Sequence, residues 1–128
     1  MKLKIGSLDE RIKEPDGTCK FIVAVRESPK TIKAWENAEI EYHSKYESME
    51  RETTHKEIAI DAGLDSSASY VLGGGRVYIT DDKVLSFFGA SGTYGIPEQV
   101  FLKEISNELL AAYRGIVPEI ERIEFDLG

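Results

Sequence analysis

Histidine is the side chain whose ordinary charge change falls nearest neutral pH, and this sequence carries two, His43 and His55. Neither sits in a metal-ligand spacing: there is no Cys/His cluster, HExxH motif or EF-hand loop. No metal and no other cofactor is therefore expected. The remaining chemistry-bearing residues suit an anion. In "FFGASGTYGIP", Phe87 to Pro97, the side chains thin to small ones around Ser91. Consecutive N–H groups in such a turn can point inward as a nest, and a following helix N-terminus adds unpaired donors. Ser91 offers a hydroxyl, while Gly89, Gly92 and Gly95 clear the approach and permit positive φ. A plain strand-to-helix turn has the same composition, so these residues alone leave both readings open. Lys20, heading an apolar run, and Arg76, following three glycines, are cations that an anion site would use. Read singly, they are a solvated edge charge and a surface arginine beside a β-bulge.

Two familiar phosphate and acyl-transfer motifs are excluded. "GGGRVYIT" lacks the GxxxxGK[ST] pattern and leads into a strand, so it is not a Walker loop. "GASGT" places its second glycine one position too early for a GxSxG nucleophile elbow, and both histidines precede the serine.

The elements that must position these residues are those of one domain. The chain has 128 residues, 41% hydrophobic and 30% charged, with one cysteine, Cys19, and a net charge of −7. One cysteine forms no internal disulfide and suits a reducing cytoplasm. The negative charge opposes nucleic acid and anionic membrane as partners. The longest apolar run, Phe21 to Val25, is too short to span a bilayer. "MKLKIGSLDERIK" lacks the apolar core of a signal peptide.

"KFIVAV" is a strand apolar on both faces, and "EPDGT" is the turn before it. "SPKTIK" leads into a helix expected over residues 32 to 52, whose core stripe is Trp35, Ala38, Tyr42, Tyr46 and Met49. Its opposite face holds Glu36, Ile40, Glu47 and Arg51, with His43 at the boundary and Glu39 one turn before it. "HKEIAID" reads as a short strand, "AGLDSSAS" as a loop, and "YVLGGGRVYI" and "KVLSFFG" as strands joined by a hairpin at Thr80 to Lys83. A second helix runs from Pro97 to Arg114-Gly115, with Phe101, Ile105, Leu109 and Ala112 as its stripe. "EIERIEFDL" closes as an alternating strand. The expected fold class is α/β: a single domain with a mixed β-sheet flanked by two helices.

"DGTCKF", "EYHSKY", "LGGGR" and "FFGASGTYGIP" occur in the order found in the Janus/Ocnus family, that of the eukaryotic protein histidine phosphatases, and the chain resembles it over about residues 16 to 115. It differs in carrying Ile96 between Tyr-Gly and Pro97, and Val100 where eukaryotic members can have a second histidine. The resemblance implies a metal-independent phosphatase acting on a phosphohistidine-containing protein or a small phosphoramidate, with inorganic phosphate as product; a monomer is expected. It places the catalytic histidine on His43, preceded by Tyr42, and the phosphate-binding loop on Ser91, Gly92 and Thr93. The family's basic residues fall on Lys20 and Arg76. Glu39 would orient the His43 ring. A module that binds phosphate or phosphoprotein without turnover would keep the same cradle and have no need of His43.

Overall fold

The computed structural model describes residues 1–15, 17–27, 29–48, 53–64 and 71–128. Asp16, Ser28, Met49, Arg51 and the segment 65–70, which includes most of the loop read above, lie outside the described residues.

Six strands form one mixed sheet: β1 (Lys2–Ser7), β2 (Cys19–Ala24), β3 (Glu39–Tyr46), β4 (Val71–Ile79), β5 (Val84–Gly89) and β6 (Arg122–Leu127). Their spatial order is β1-β3-β2-β4-β5-β6. The two edge pairs, β1 with β3 and β5 with β6, are parallel, and the three inner pairs are antiparallel. Among the described residues four α-helices accompany them, α1 (Ile32–Glu36), α2 (His55–Asp61), α3 (Gln99–Glu104) and α4 (Ser106–Arg114), with a 3-10 turn at Glu10–Lys13. The α/β class, the mixed sheet, β2, the β4–β5 hairpin and the alternating β6 agree with the sequence reading.

The alternation along β2 divides two cores, because successive side chains of a strand point to opposite faces. Phe21, Val23 and Val25 join Tyr42, Phe87, Leu102, Ile105, Leu109 and Tyr113 under α3 and α4. Ile22 and Ala24 meet Ile58, Ala59 and Leu64 on and beyond α2 on the other face. Both faces are covered, as the doubly apolar run requires. Each fully buried Leu, Ile, Val or Phe contributes about 1.5–3 kcal/mol of transfer free energy.

The long helix over 32 to 52 is not formed. Its first turn survives as α1, capped by the Thr31 side chain accepting from the Ala34 N–H. Residues 39–46 are instead an inner strand. "EIEYHSKY" satisfies both periods: Tyr42 and Tyr46 are one helical turn apart, while Ile40, Tyr42 and Tyr46 also fall on the even positions of a strand whose odd positions, Glu39, Glu41, His43 and Lys45, are all polar. Pairing to β1 on one side and β2 on the other decides for the strand, since it satisfies the backbone and buries Ile40 and Tyr42 completely.

"HKEIAID" is a helix rather than a strand. Thr54 caps it by accepting from the Glu57 N–H, and the Thr-x-x-Glu spacing of a capping box is present in the sequence. The helix after Pro97 breaks at Ile105 into α3 and α4, and its buried line is Leu102, Ile105, Leu109 and Tyr113. At its two ends this differs from the expected stripe: Phe101 and Ala112 are half-buried, and Phe101 stacks on Trp35 at 5.5 Å. β1 was not read from the sequence, although Leu3 and Ile5 alternate with Lys2 and Lys4.

Candidate functional site

Paired residues on neighbouring strands share a face. Lys45, Lys20 and Arg76 form one row across β3, β2 and β4, and His43, Ile22 and Gly74 form the next. His43, Lys20 and Arg76 therefore all project from the face that α2 partly covers. From strand spacing, the Cα of His43 lies about 8 Å from that of Lys20 and about 12 Å from that of Arg76. Tyr42, by alternation, turns to the opposite face. There it stacks on Phe21 at a centroid distance of 5.7 Å and its hydroxyl meets that of Tyr113. Burial pushes both phenols up from their ordinary values. Tyr42 is a core residue, and its place beside His43 in the chain does not make it a neighbour in the site.

His43 is 7% exposed, and its ring packs directly on the backbone of Gly6. A methyl group at Gly6 would come within 2.0 Å of His43 Cε1, and β1 slips its register between Ile5 and Ser7 at this point. The bulge and the missing side chain together make room for the imidazole. His43 Nε2 lies 3.2 Å from Glu41 Oε1. Arg26 grips the same carboxylate with both arms of its fork, at 2.8 Å each. That fork holds the Glu41 carboxyl below its usual range, against the cost of burial and with a smaller contribution from His43. An ionised carboxylate only accepts, so the proton in this contact belongs to His43 Nε2. The neutral ring then carries its lone pair on Nδ1.

The orienting carboxylate is thus Glu41, two residues before His43 on a strand. Glu39 was expected to be one helical turn away; it stands at the exposed start of β3. Beside His43 a cleft of about 570 Å³ opens between β1, β3 and α2, walled in part by Ser7, Asp9, Lys45, Ile58 and Asp61. Lys45 Nζ pairs with Asp61 Oδ2 at 3.4 Å in that wall. Lys20, Arg76 and Ser91 are not part of it.

Lys20 and Arg76 are brought together by a residue that sequence reasoning assigned to a helix surface. Glu47 Oε1 is 3.5 Å from Lys20 Nζ, and Glu47 Oε2 is 3.1 Å from Arg76 Nε. Desolvation would raise the Glu47 carboxyl, but the Arg76 hydrogen bonds and the Lys20 charge outweigh it and hold it below its usual range.

The loop after β5 is pinned to β4. Ser91 N–H donates to Gly74 O at 3.0 Å, and Gly74 N–H donates to Gly95 O at 3.1 Å. Within the loop, the Thr93 and Tyr94 N–H groups both donate to Ser91 Oγ, at 3.2 and 3.0 Å. Two loop donors therefore do converge on one point, which the Ser91 hydroxyl occupies. Tyr94 packs against the core under α2, so the loop lies toward the same face as His43. Gly89 and Gly95 have φ of 74° and 77°, a region that favours glycine. Gly92 has no such φ, and a methyl group there would meet nothing within 4 Å. Neither conformation nor packing requires a glycine at Gly92.

His55, the second histidine, is buried at the start of α2, and its Nε2 donates to Gly75 O at 2.8 Å. Burial lowers its pKa from 6.5, with the Lys20 and Arg76 charges adding to the effect and the Gly75 hydrogen bond opposing it. A folded-state value below the unfolded one means that the unfolded chain binds more protons. Stability therefore falls as pH drops through and below about 6.5, with a slope of at most about 1.4 kcal/mol per pH unit from this group. In urea unfolding between pH 7.5 and 5.5, His55→Gln, which keeps a donor for Gly75, is expected to flatten this dependence. An unchanged slope would show that other groups carry it.

Among the described residues no three His, Cys, Asp or Glu side chains group to hold a metal ion, and no helix is long and apolar enough to cross a membrane. Cys19 is buried, which pushes its thiol up to about 12 and leaves it a poor nucleophile. No protein-family model matches the chain, and no curated protein matches it.

Proposed function

We propose that this protein is a phosphatase that hydrolyses phosphohistidine, in proteins or as a small phosphoramidate, without a metal. The observation that carries the reading is the shared face of His43, Lys20 and Arg76 across three adjacent strands. The motif resemblance to the Janus/Ocnus family supports the same assignment, and the lone buried thiol suits a cytoplasmic protein.

In this mechanism Lys20 and Arg76 neutralise the phosphoryl oxygens, and the Ser91–Thr93 turn holds them through the Ser91 O–H and the Gly92 N–H, the Ser91 and Thr93 N–H groups being engaged with Gly74 O and Ser91 Oγ. His43, with Nε2–H fixed on Glu41, acts through Nδ1. It either takes a proton from a water that attacks phosphorus, or attacks phosphorus itself and is freed by water in a second step. In both routes the P–N bond breaks, its electron pair leaves with the substrate imidazole, and that ring departs carrying a proton. Water supplies the oxygen that ends in inorganic phosphate.

One observation favours a second reading. The cleft beside His43 excludes Lys20, Arg76 and Ser91, as a phosphate-binding module without turnover would allow. Phosphate release from a phosphohistidine peptide, with and without EDTA, decides between them. Release at equal rates under both conditions is the expected result. A rate abolished by EDTA and restored by zinc or magnesium would overturn metal independence, and phosphate binding without release would establish the binding module.

A further inference from the structure

The cation pair assigned to the phosphoryl group already holds an anion, the Glu47 carboxylate. We propose that Glu47 is a built-in competitor that sets the affinity of the cradle: a tethered carboxylate that an incoming anion must displace from Lys20 and Arg76. The inference rests on the proposed use of those two residues as a phosphoryl cradle.

The geometry has the features of a competitor. The two oxygens of Glu47 divide between the cations, Oε1 toward Lys20 Nζ at 3.5 Å and Oε2 toward Arg76 Nε at 3.1 Å, while Oε1 also receives Arg76 Nη2 at 3.4 Å. A bidentate seat on an arginine fork is the one a phosphoryl group takes. Lys20 is 5% exposed, so its ammonium is poorly served by solvent, and Glu47 partly supplies the countercharge when no ligand is bound. Glu47 follows β3 directly, and its own N–H is anchored on Thr18 O at 3.1 Å. Its side chain can therefore leave the cations without unpairing the strand.

A tethered group competes at a high effective concentration. A monoanion such as a phosphodiester or a carboxylate brings no more charge than Glu47 and gains little by replacing it. A phosphoryl dianion brings twice the charge and a third oxygen for the Ser91 turn. The displacement lowers both affinities by the same factor, so Glu47 sets a floor that the tighter-binding terminal phosphoryl groups pass and monoanions do not. His55 also faces the cluster, its ring bonded to Gly75 and within the fields of Lys20, Arg76 and Glu47.

The test measures binding of inorganic phosphate and of dimethyl phosphate to the wild-type protein and to Glu47→Gln, by calorimetry at pH 7.5. Removing the charge is expected to tighten phosphate binding about tenfold, and to tighten dimethyl phosphate by a similar factor, because both anions displace the same carboxylate. In the wild type, phosphate should also shift the Arg76 Nε–H resonance as its partner changes, which needs no variant. Weaker or unchanged phosphate binding by Glu47→Gln would overturn the inference and make Glu47 a structural brace for the two cations. Phosphohistidine turnover is followed in parallel. Turnover that needs Lys20 and Arg76 but does not respond to Glu47→Gln leaves the phosphatase reading standing and ends this one. Tighter phosphate binding with no turnover by either protein does the reverse.

Discussion

Replacing His43 with alanine is expected to lower phosphohistidine hydrolysis by about a thousandfold or more, in line with the loss of an acid–base or nucleophilic group. Folding and phosphate binding should survive. The backbone of β3 is paired on both sides and is untouched by the change. Glu41 keeps both arms of Arg26, so no buried carboxylate is orphaned. The space vacated by the ring borders the cleft, where water can enter. Gly6→Ala is a second route to the same result with the histidine still present. Its methyl group would take the place of the ring at 2.0 Å, so the imidazole must move away from Glu41. Turnover should then fall while phosphate affinity stays, because Gly6 lies on β1, two strands from Lys20 on β2 and three from Arg76 on β4. Circular dichroism and phosphate titration of both variants check the fold and the cradle, and initial rates check the chemistry. Near-wild-type turnover by His43→Ala would remove His43 from the mechanism.

The parts of this fold that the sequence reveals are those where one signal acts alone. β2 is an uninterrupted apolar run, β6 alternates cleanly, and the β4–β5 hairpin carries its turn residues between two β-forming segments. β3 was misread because helical and strand periods coincide on Tyr42 and Tyr46, and only long-range pairing breaks the tie. That single misreading displaced the site partners as well. On a helix the neighbour of His43 is four residues back, at Glu39; on a strand it is two back, at Glu41. The Arg26–Glu41 fork joins residues 15 positions apart and the Arg76–Glu47 bonds residues 29 apart, and their meeting depends on register that no local pattern encodes. For α2 the signal was there: Thr54 and Glu57 are spaced as a capping box, but the β-branched residues within seven positions drew a strand reading. The shared face of His43, Lys20 and Arg76 is a property of the sheet. Their placement on one face follows from three strands meeting in one register.

The proposed enzyme should cleave phosphohistidine at least a thousandfold faster than phosphoserine or phosphothreonine, a gap set by the leaving group. An ester must expel an alkoxide, which calls for a metal ion or a positioned acid at the departing oxygen. Among the described residues no metal-ligand group forms. The second histidine, which could have served as an acid, is occupied with Gly75 O and is held toward its neutral form by burial and by the Lys20 and Arg76 charges. The carboxyls nearest the cradle and the histidine, Glu47 and Glu41, are both held toward their ionised forms by arginine partners, so neither is a proton donor near neutrality. A phosphoramidate makes a smaller demand. Its imidazole leaves as a neutral or protonated ring and needs no strong acid from the protein, so one histidine and an anion cradle are sufficient. Initial rates on a phosphohistidine peptide and a phosphoserine peptide of the same sequence, at equal concentration and pH 7.5, measure the ratio directly. Ester cleavage at a comparable rate would require an acid that this site does not contain, and would move the active centre elsewhere in the chain.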